Sequence, residues 1–337
     1  MTSTDGGRGT DRRDLFRAGA AVLLLGTAGC ASSAKKPAAM ASSSSPPAET
    51  GTPTPTPTPT PLPNPPLWQP GPGEIQPDVK RRAVELVAAL GAWPPGGQGV
   101  AAARARVAAL GLPPALADQA GPLAPPASEA SLEVIDAQYG GILADSASVL
   151  VVCRQWTRRP DGGVAEGGTT VDVRLSRAEP RWTVTDLHPG EPGPAAAAPS
   201  ALVAEVLAQP RIELPPEAVA DLRSGSVHDS VLGAMLRLAG PYTLSVSVVR
   251  TGHPLNVFGT TRPSDHPPGR AFDVWRIDGR PVVDPGTPRQ LVESFMRDAA
   301  AAGSYNVGGP VVVAGGVGNQ FFTDDTHHDH VHVGFTG

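Results

Sequence analysis

The chain has 337 residues, with 27 Lys and Arg against 32 Asp and Glu, a net charge of −5 and no basic block, which argues against nucleic acid as a partner. Its two cysteines exclude a disulfide-stapled scaffold.

The first segment, 1–30, carries Asp11-Arg12-Arg13-Asp14-Leu15-Phe16-Arg17, then an apolar run from Ala18 to Ala28 closed by Gly29-Cys30. A charged stretch followed by a short apolar one reads as an export signal, and the run is too short to span a bilayer comfortably. The paired arginines before Leu-Phe resemble a twin-arginine signal. Thr27-Ala28-Gly29-Cys30 resembles a lipobox, with Thr27 where the usual residue is Leu. These resemblances imply lipidation at Cys30 and an exported lipoprotein, anchored to the cell membrane and facing the cell wall.

Residues 31–73 hold Ser42 to Ser45, the Thr-Pro alternation from Thr52 to Pro61, and Pro63, Pro65, Pro66, Pro70 and Pro72. Such a stretch cannot build a core and reads as a disordered, extended tether. The remainder divides near residue 195. In 74–195, Val79, Ala83, Leu86, Val87 and Leu90 recur at helical spacing, and a second helix is expected over Val100 to Leu110. Strands are expected at Ala147 to Trp156, Gly168 to Leu175 and Arg181 to Leu187, giving a small α+β unit with no catalytic constellation. Trp156, Trp182 and His188 are read there as packing residues of a sheet. Cys153, alone once Cys30 is used, is read as a buried small hydrophobe.

After a linker at Gly190 to Pro199, helices are expected at Ala201 to Ala208, Pro216 to Arg223 and Asp229 to Leu238, followed by a strand from Tyr242 to Val249. Ala271 to Arg276 and Arg280 to Val283 flank Asp278-Gly279, a tight-hairpin signal. Thr287 to Ala302 has an apolar stripe of Leu291, Val292, Phe295 and Met296, with Thr287 as the expected N-cap. Val311 to Val313 and Val331 to Phe335 complete the expected sheet.

Six of the eight histidines fall at 253, 266, 327, 328, 330 and 332. Asp273 follows His266 by seven residues across Pro267-Pro268-Gly269, so the chain can turn and bring both to one ion. His330 and His332 are two apart on a strand and share a face. His266, Asp273 and one or two of the C-terminal histidines make a catalytic zinc set with no cysteine.

Ser264-x-His266-x2-Gly269-x-Ala271-x-Asp273 and Asp329-His330-x-His332 resemble the metallopeptidase superfamily of lysostaphin, the zinc D-Ala-D-Ala peptidases and the hedgehog signalling domain. The likeness is greatest to the D-Ala-D-Ala carboxypeptidases and spans about Tyr242 to Phe335. It implies an α+β domain over 196–337, with a small antiparallel sheet and flanking helices, that binds one Zn2+ through His266, Asp273 and His332. By the same resemblance His330 stabilises the reacting carbonyl, and Asp329 stands where the family has a glutamate base, with His327 or His328 able to share that role. The family's arginine after the strand is replaced by Thr251-Gly252-His253-Pro254, leaving Arg262 or Arg250, with Ser264, to meet a substrate carboxylate. The implied function is hydrolysis of D-amino-acid-containing peptidoglycan stem peptides. The alternative is a catalytically silent, zinc-containing cell-wall scaffold.

Overall fold

The computed structural model describes residues 60–337. The signal, the lipidation residue Cys30 and most of the expected tether lie outside the described residues. Among the described residues no helix is long and apolar enough to cross a membrane.

The first half opens with α1 (Pro77–Gly91), which Pro77 starts at a position where its missing N–H costs nothing. Val79, Ala83, Leu86, Val87 and Leu90 form the expected buried stripe, and Lys80 is buried beside them. α2 (Val100–Ala109) follows, then two 3-10 turns at 114–119 and 121–123. β1 (Ala130–Ile142), β2 (Ser146–Arg158), β3 (Val164–Gly167), β4 (Thr170–Ser176) and β5 (Thr183–Pro189) form an antiparallel sheet in the order β1-β2-β4-β5, with β3 on β2. α1 and the 3-10 turns cover one face of this sheet, closing a core that includes Leu86, Leu90, Val149, Val173 and the free Cys153. Trp182 packs half-buried against this core.

β1 is an addition to the sequence reading, which placed no strand at 130–142. Its Glu133, Asp136 and Gln138 interrupt the apolar pattern that marks a packed strand. Asp136 and Gln138 are nonetheless buried, because this edge strand packs against the second half of the molecule.

The second half contains α3 (Ala201–Ala208), capped by Ser200, β6 (Ile212–Glu213), α4 (Pro216–Ser224) and α5 (Asp229–Leu238). Then come β7 (Leu244–Val246), β8 (Ala271–Ile277), β9 (Arg280–Pro281), α6 (Arg289–Ala301), β10 (Asn306–Gly308), β11 (Phe321–Phe322) and β12 (Val331–Gly334). The sheet runs β11-β10-β12-β8-β7-β6, with β9 on β8. It is mixed rather than wholly antiparallel, since β10 with β11 and β6 with β7 are parallel. The helices and this sheet enclose a second core around Leu232, Met235, Phe272, Phe295, Val331 and Val333. Both halves together are α+β, within one compact unit.

Three local expectations change. Val311 to Val313 is not a strand: Pro310, with no N–H to donate, interrupts pairing, and β10 lies earlier at Asn306–Gly308. The N-cap of α6 is Pro288, because the Thr287 hydroxyl instead donates to Pro281 O at 2.6 Å. Tyr242 to Val249 pairs regularly only at Leu244–Val246, with a register shift at Ser245/Val246. Beyond that shift Ser247 N–H still donates to Asp273 O at 3.0 Å and Asp273 N–H to Val248 O at 2.9 Å, so both backbone groups of Asp273 are held by this segment. The Asp278-Gly279 hairpin forms as expected, with φ of 51° and 75°.

Candidate metal centre

Asp273 on β8 stands directly opposite His332 on β12, so cross-strand geometry places both side chains on one face. His266 precedes β8 by a turn through Pro267-Pro268-Gly269. Gly269 has φ 75°, and a Cβ there would fall 2.0 Å from Ser226 O, so only glycine lets the chain return at this point.

His266 Nδ1 is 2.9 Å from Val249 O. A carbonyl only accepts, so the neutral ring carries its proton on Nδ1 and offers the Nε2 lone pair. That Nε2 is 3.2 Å from Asp273 Oδ1 and 3.1 Å from His332 Nδ1, and His332 Nδ1 is 3.0 Å from the same carboxylate oxygen. A lone pair facing a buried carboxylate oxygen is repulsive unless a cation stands between them. Tetrahedral zinc with bonds of about 2.0–2.2 Å holds its ligands about 3.3–3.5 Å apart, close to this triangle. The donor set and its spacing fit such an ion. All three residues are buried, His332 being the most open at 7 % exposure.

His253 stands close enough to His266 and Asp273 for one ion to be shared among the three. Its ring, however, stacks on His266 with centroids 4.1 Å apart and planes 14° from parallel. In-plane lone pairs of parallel rings do not converge, so His332 completes the set better and His253 serves as a wall. A second cluster, Glu74, His328 and Asp329, also has donor atoms within reach of one ion. There the positive charge is already supplied, because the Lys80 ammonium pairs with both Glu74 and Asp329.

His266 and His332 line a cleft of about 360 Å³, with Asp273 buried behind them. His253, Arg262, Ser264, His266, His327, His330 and His332 line it from the second half, and Tyr139 to Leu143 at the end of β1 line it from the first. Asp329 is not among the lining residues. Its Oδ1 lies 2.6 Å from His330 Nδ1, while its Oδ2 is 2.6 Å from Lys80 Nζ and accepts from Tyr139 N–H at 3.0 Å. Burial alone would raise the Asp329 carboxyl, but Lys80 and then His330 outweigh it and hold Asp329 far below the usual carboxylate range. His330 therefore presents Nε2 inward, 3.8 Å from Asp273 Oδ2. Burial by itself lowers the His330 imidazolium; Asp273 and then Asp329 overcome this and push it up to about 9.

The two remaining histidines separate. His327 Nδ1 is 2.7 Å from Asp324 Oδ1, and its ring lies 5.2 Å from that of His330 and 5.7 Å from that of His332, inside the cleft. His328 donates from Nδ1 to Asp325 O at 2.6 Å and accepts at Nε2 from Ile75 N–H at 3.1 Å, so both its nitrogens are used outside the cleft. The arginines separate likewise. Arg262 is exposed at the cleft, whereas Arg250 donates to Pro192 O at 3.3 Å and lies 3.7 Å from Asp221. Ser264 is 6 % exposed and accepts from His266 N–H at 3.3 Å, with His253 Nδ1 also 3.3 Å away.

The loop bearing His253 is pinned by two buried acids of α4. Asp221 Oδ2 accepts from the N–H groups of Arg250 and Thr251 at 3.0 and 2.9 Å, and the Thr251 hydroxyl lies 2.5 Å from Glu217 Oε1. Burial, with the Asp221 charge adding to it, pushes Glu217 up from 4.5 to about 7, and burial also raises Asp221. The folded protein thus keeps a proton that the unfolded chain has released, so stability falls as pH rises from about 4.5 through 7. The Glu217 contribution is on the order of 2–3 kcal/mol. Asp329, whose carboxyl is depressed, changes stability only at much lower pH. The melting temperature is expected to be lower at pH 8 than at pH 5.5, and Glu217→Gln should flatten that slope. A slope unchanged in Glu217→Gln would contradict the assignment.

Comparison of the chain with protein-family models, curated proteins and solved structures finds no match.

Proposed function

We propose that the protein is a zinc-dependent peptidase acting on D-amino-acid-containing stem peptides of peptidoglycan, exported and held at the membrane by a lipid on Cys30. The observation that supports it is the buried triangle of His266 Nε2, Asp273 Oδ1 and His332 Nδ1 beside an open cleft. Zinc held by these three atoms would polarise a substrate carbonyl and acidify water beside it. The peptide substrate and the hedgehog-like fold of 196–337 rest on the resemblance of the two motifs.

The chain's own groups divide the remaining work. His330 Nε2 faces Asp273 from within the cleft and is placed to hydrogen-bond a carbonyl oxygen as negative charge develops on it. Asp329 acts through His330: it fixes the ring by accepting at Nδ1, and both its oxygens are engaged away from the cleft by His330, Lys80 and Tyr139. The proton acceptor expected at Asp329 is therefore moved to His327, a cleft imidazole oriented by Asp324. Arg262 at the cleft is the group for a substrate carboxylate, and Ser264 keeps His266 and His253 in place.

The test is digestion of a stem pentapeptide and of cross-linked peptidoglycan by the zinc-loaded protein, read by mass spectrometry. Release of terminal D-Ala marks a carboxypeptidase, and cut cross-links mark an endopeptidase. His330→Ala is expected to retain zinc while kcat falls about 10²–10³-fold, the effect of losing one oxyanion donor. An undiminished kcat would remove His330 from the chemistry.

The engagement of Asp329 by Lys80 favours a second reading, a zinc-containing cell-wall scaffold in which Asp329 is not free to act as a base. One equivalent of tightly held zinc without any zinc-dependent product would select it.

A further inference from the structure

The polar face of β1 is used by neither the sequence motifs nor the chemistry proposed for the cleft. Gln138 lies on it, 1 % exposed and 135 residues from the carboxylate it meets. Its Nε2 donates to Asp273 Oδ2 at 2.7 Å, and its Oε1 accepts from the Ser247 hydroxyl. The opposite orientation of the amide would set its oxygen against the carboxylate, so the hydroxyl and the carboxylate together fix which end points where. With Oδ2 occupied by this donor, Oδ1 alone is left to the imidazole nitrogens of His266 and His332. The next residue, Tyr139, donates its N–H to Asp329, so consecutive residues of β1 hold two elements of the centre.

We propose that Gln138 is a positioning residue of the metal centre that holds Asp273 as a one-oxygen ligand, making the first half of the molecule a part of that centre. This rests on the metal-binding reading of the His266, Asp273 and His332 triangle. Removing Gln138 would leave a buried carboxylate oxygen without its donor and free the carboxylate to turn. Outer partners of metal ligands are typically worth about 10- to 100-fold in metal affinity.

The experiment measures zinc affinity of the full chain by competition with a chromophoric chelator, together with melting temperatures of the zinc-free and zinc-loaded protein. No turnover is needed. Gln138→Leu is expected to weaken zinc binding about 10- to 100-fold and to narrow the gap between the two melting temperatures. Ser247→Ala, which leaves the bond to Asp273 but frees the amide to rotate, should show a smaller loss of the same kind. A purely packing role would lower both melting temperatures and leave the gap unchanged. Unaltered zinc affinity in folded Gln138→Leu overturns the proposal, as does unaltered affinity in Ser247→Ala should Gln138→Leu not fold. If the unmodified protein takes up no zinc, the metal reading fails first and this proposal with it.

Discussion

His266→Ala is expected to abolish zinc-dependent cleavage of stem peptides to the metal-free background while leaving the fold intact. His266 supplies one of three donor atoms and is fully buried, and removal of its ring leaves only Asp273 and His332 to hold an ion. Zinc-dependent product and bound metal should therefore disappear together. His253 stacks beside the vacated position with its in-plane lone pair directed away from it, so His253→Ala combined with His266→Ala should bring no further loss. Metal analysis after gel filtration, run beside the peptide assay, checks both. Retention of one full equivalent of zinc by His266→Ala would show that the ion sits elsewhere.

The largest effect on stability is expected from Lys80→Met. Lys80 has no exposed surface, and its ammonium pairs with Glu74 and, at 2.6 Å, with Asp329, whose side chains are 4 % and 3 % exposed. Burial by itself would lower the Lys80 ammonium, but Asp329 and Glu74 outweigh it and keep the charge in place. Methionine fills similar volume yet leaves the buried carboxylates of Glu74 and Asp329 without the ammonium they share. Removing one partner of a buried ion pair costs about 3–5 kcal/mol. For a chain of this size that is roughly a 10 °C fall in melting temperature. Adding Asp329→Asn should recover part of it, since one of the stranded charges is then gone. A melting temperature within a degree of the unmodified protein would contradict this account of Lys80.

The convergence of His266, Asp273 and His332 was legible in the sequence because its signals lie within two short stretches of chain. His266 and Asp273 are separated by one turn, and His330 immediately precedes the strand that carries His332, so each pair is close in the chain and local geometry places it without knowledge of the fold. The groups that support the triangle were not legible. Lys80 and Gln138 come from elements 135 residues or more from their partners in the centre, and nothing local distinguishes a lysine or glutamine that will meet a distant carboxylate. β1 escaped the sequence reading for the same reason, since Asp136 and Gln138 break its apolar pattern where the strand serves the other half. Asp329 shows a different limit. Its position in the motif identified it as important, but only the structure reveals that Lys80, Tyr139 and His330 consume its hydrogen-bonding capacity.

The composition of the second half also shaped which elements could be read. The repeated valines at 311–313 have strand propensity, yet Pro310 interrupts the pairing that ends at Gly308, and only Val311 and Val313 turn inward to the core. At Asp278-Gly279 local chemistry and tertiary structure agree, and the hairpin forms where its two residues demand it.

The most direct test of the metal centre is anomalous diffraction at the zinc edge from crystals of the zinc-loaded full chain. One strong peak is expected, bonded to His266 Nε2, Asp273 Oδ1 and His332 Nδ1 at about 2.0–2.2 Å, with Gln138 still donating to Asp273 Oδ2. A peak among Glu74, His328 and Asp329, or none within the cleft, would contradict this assignment.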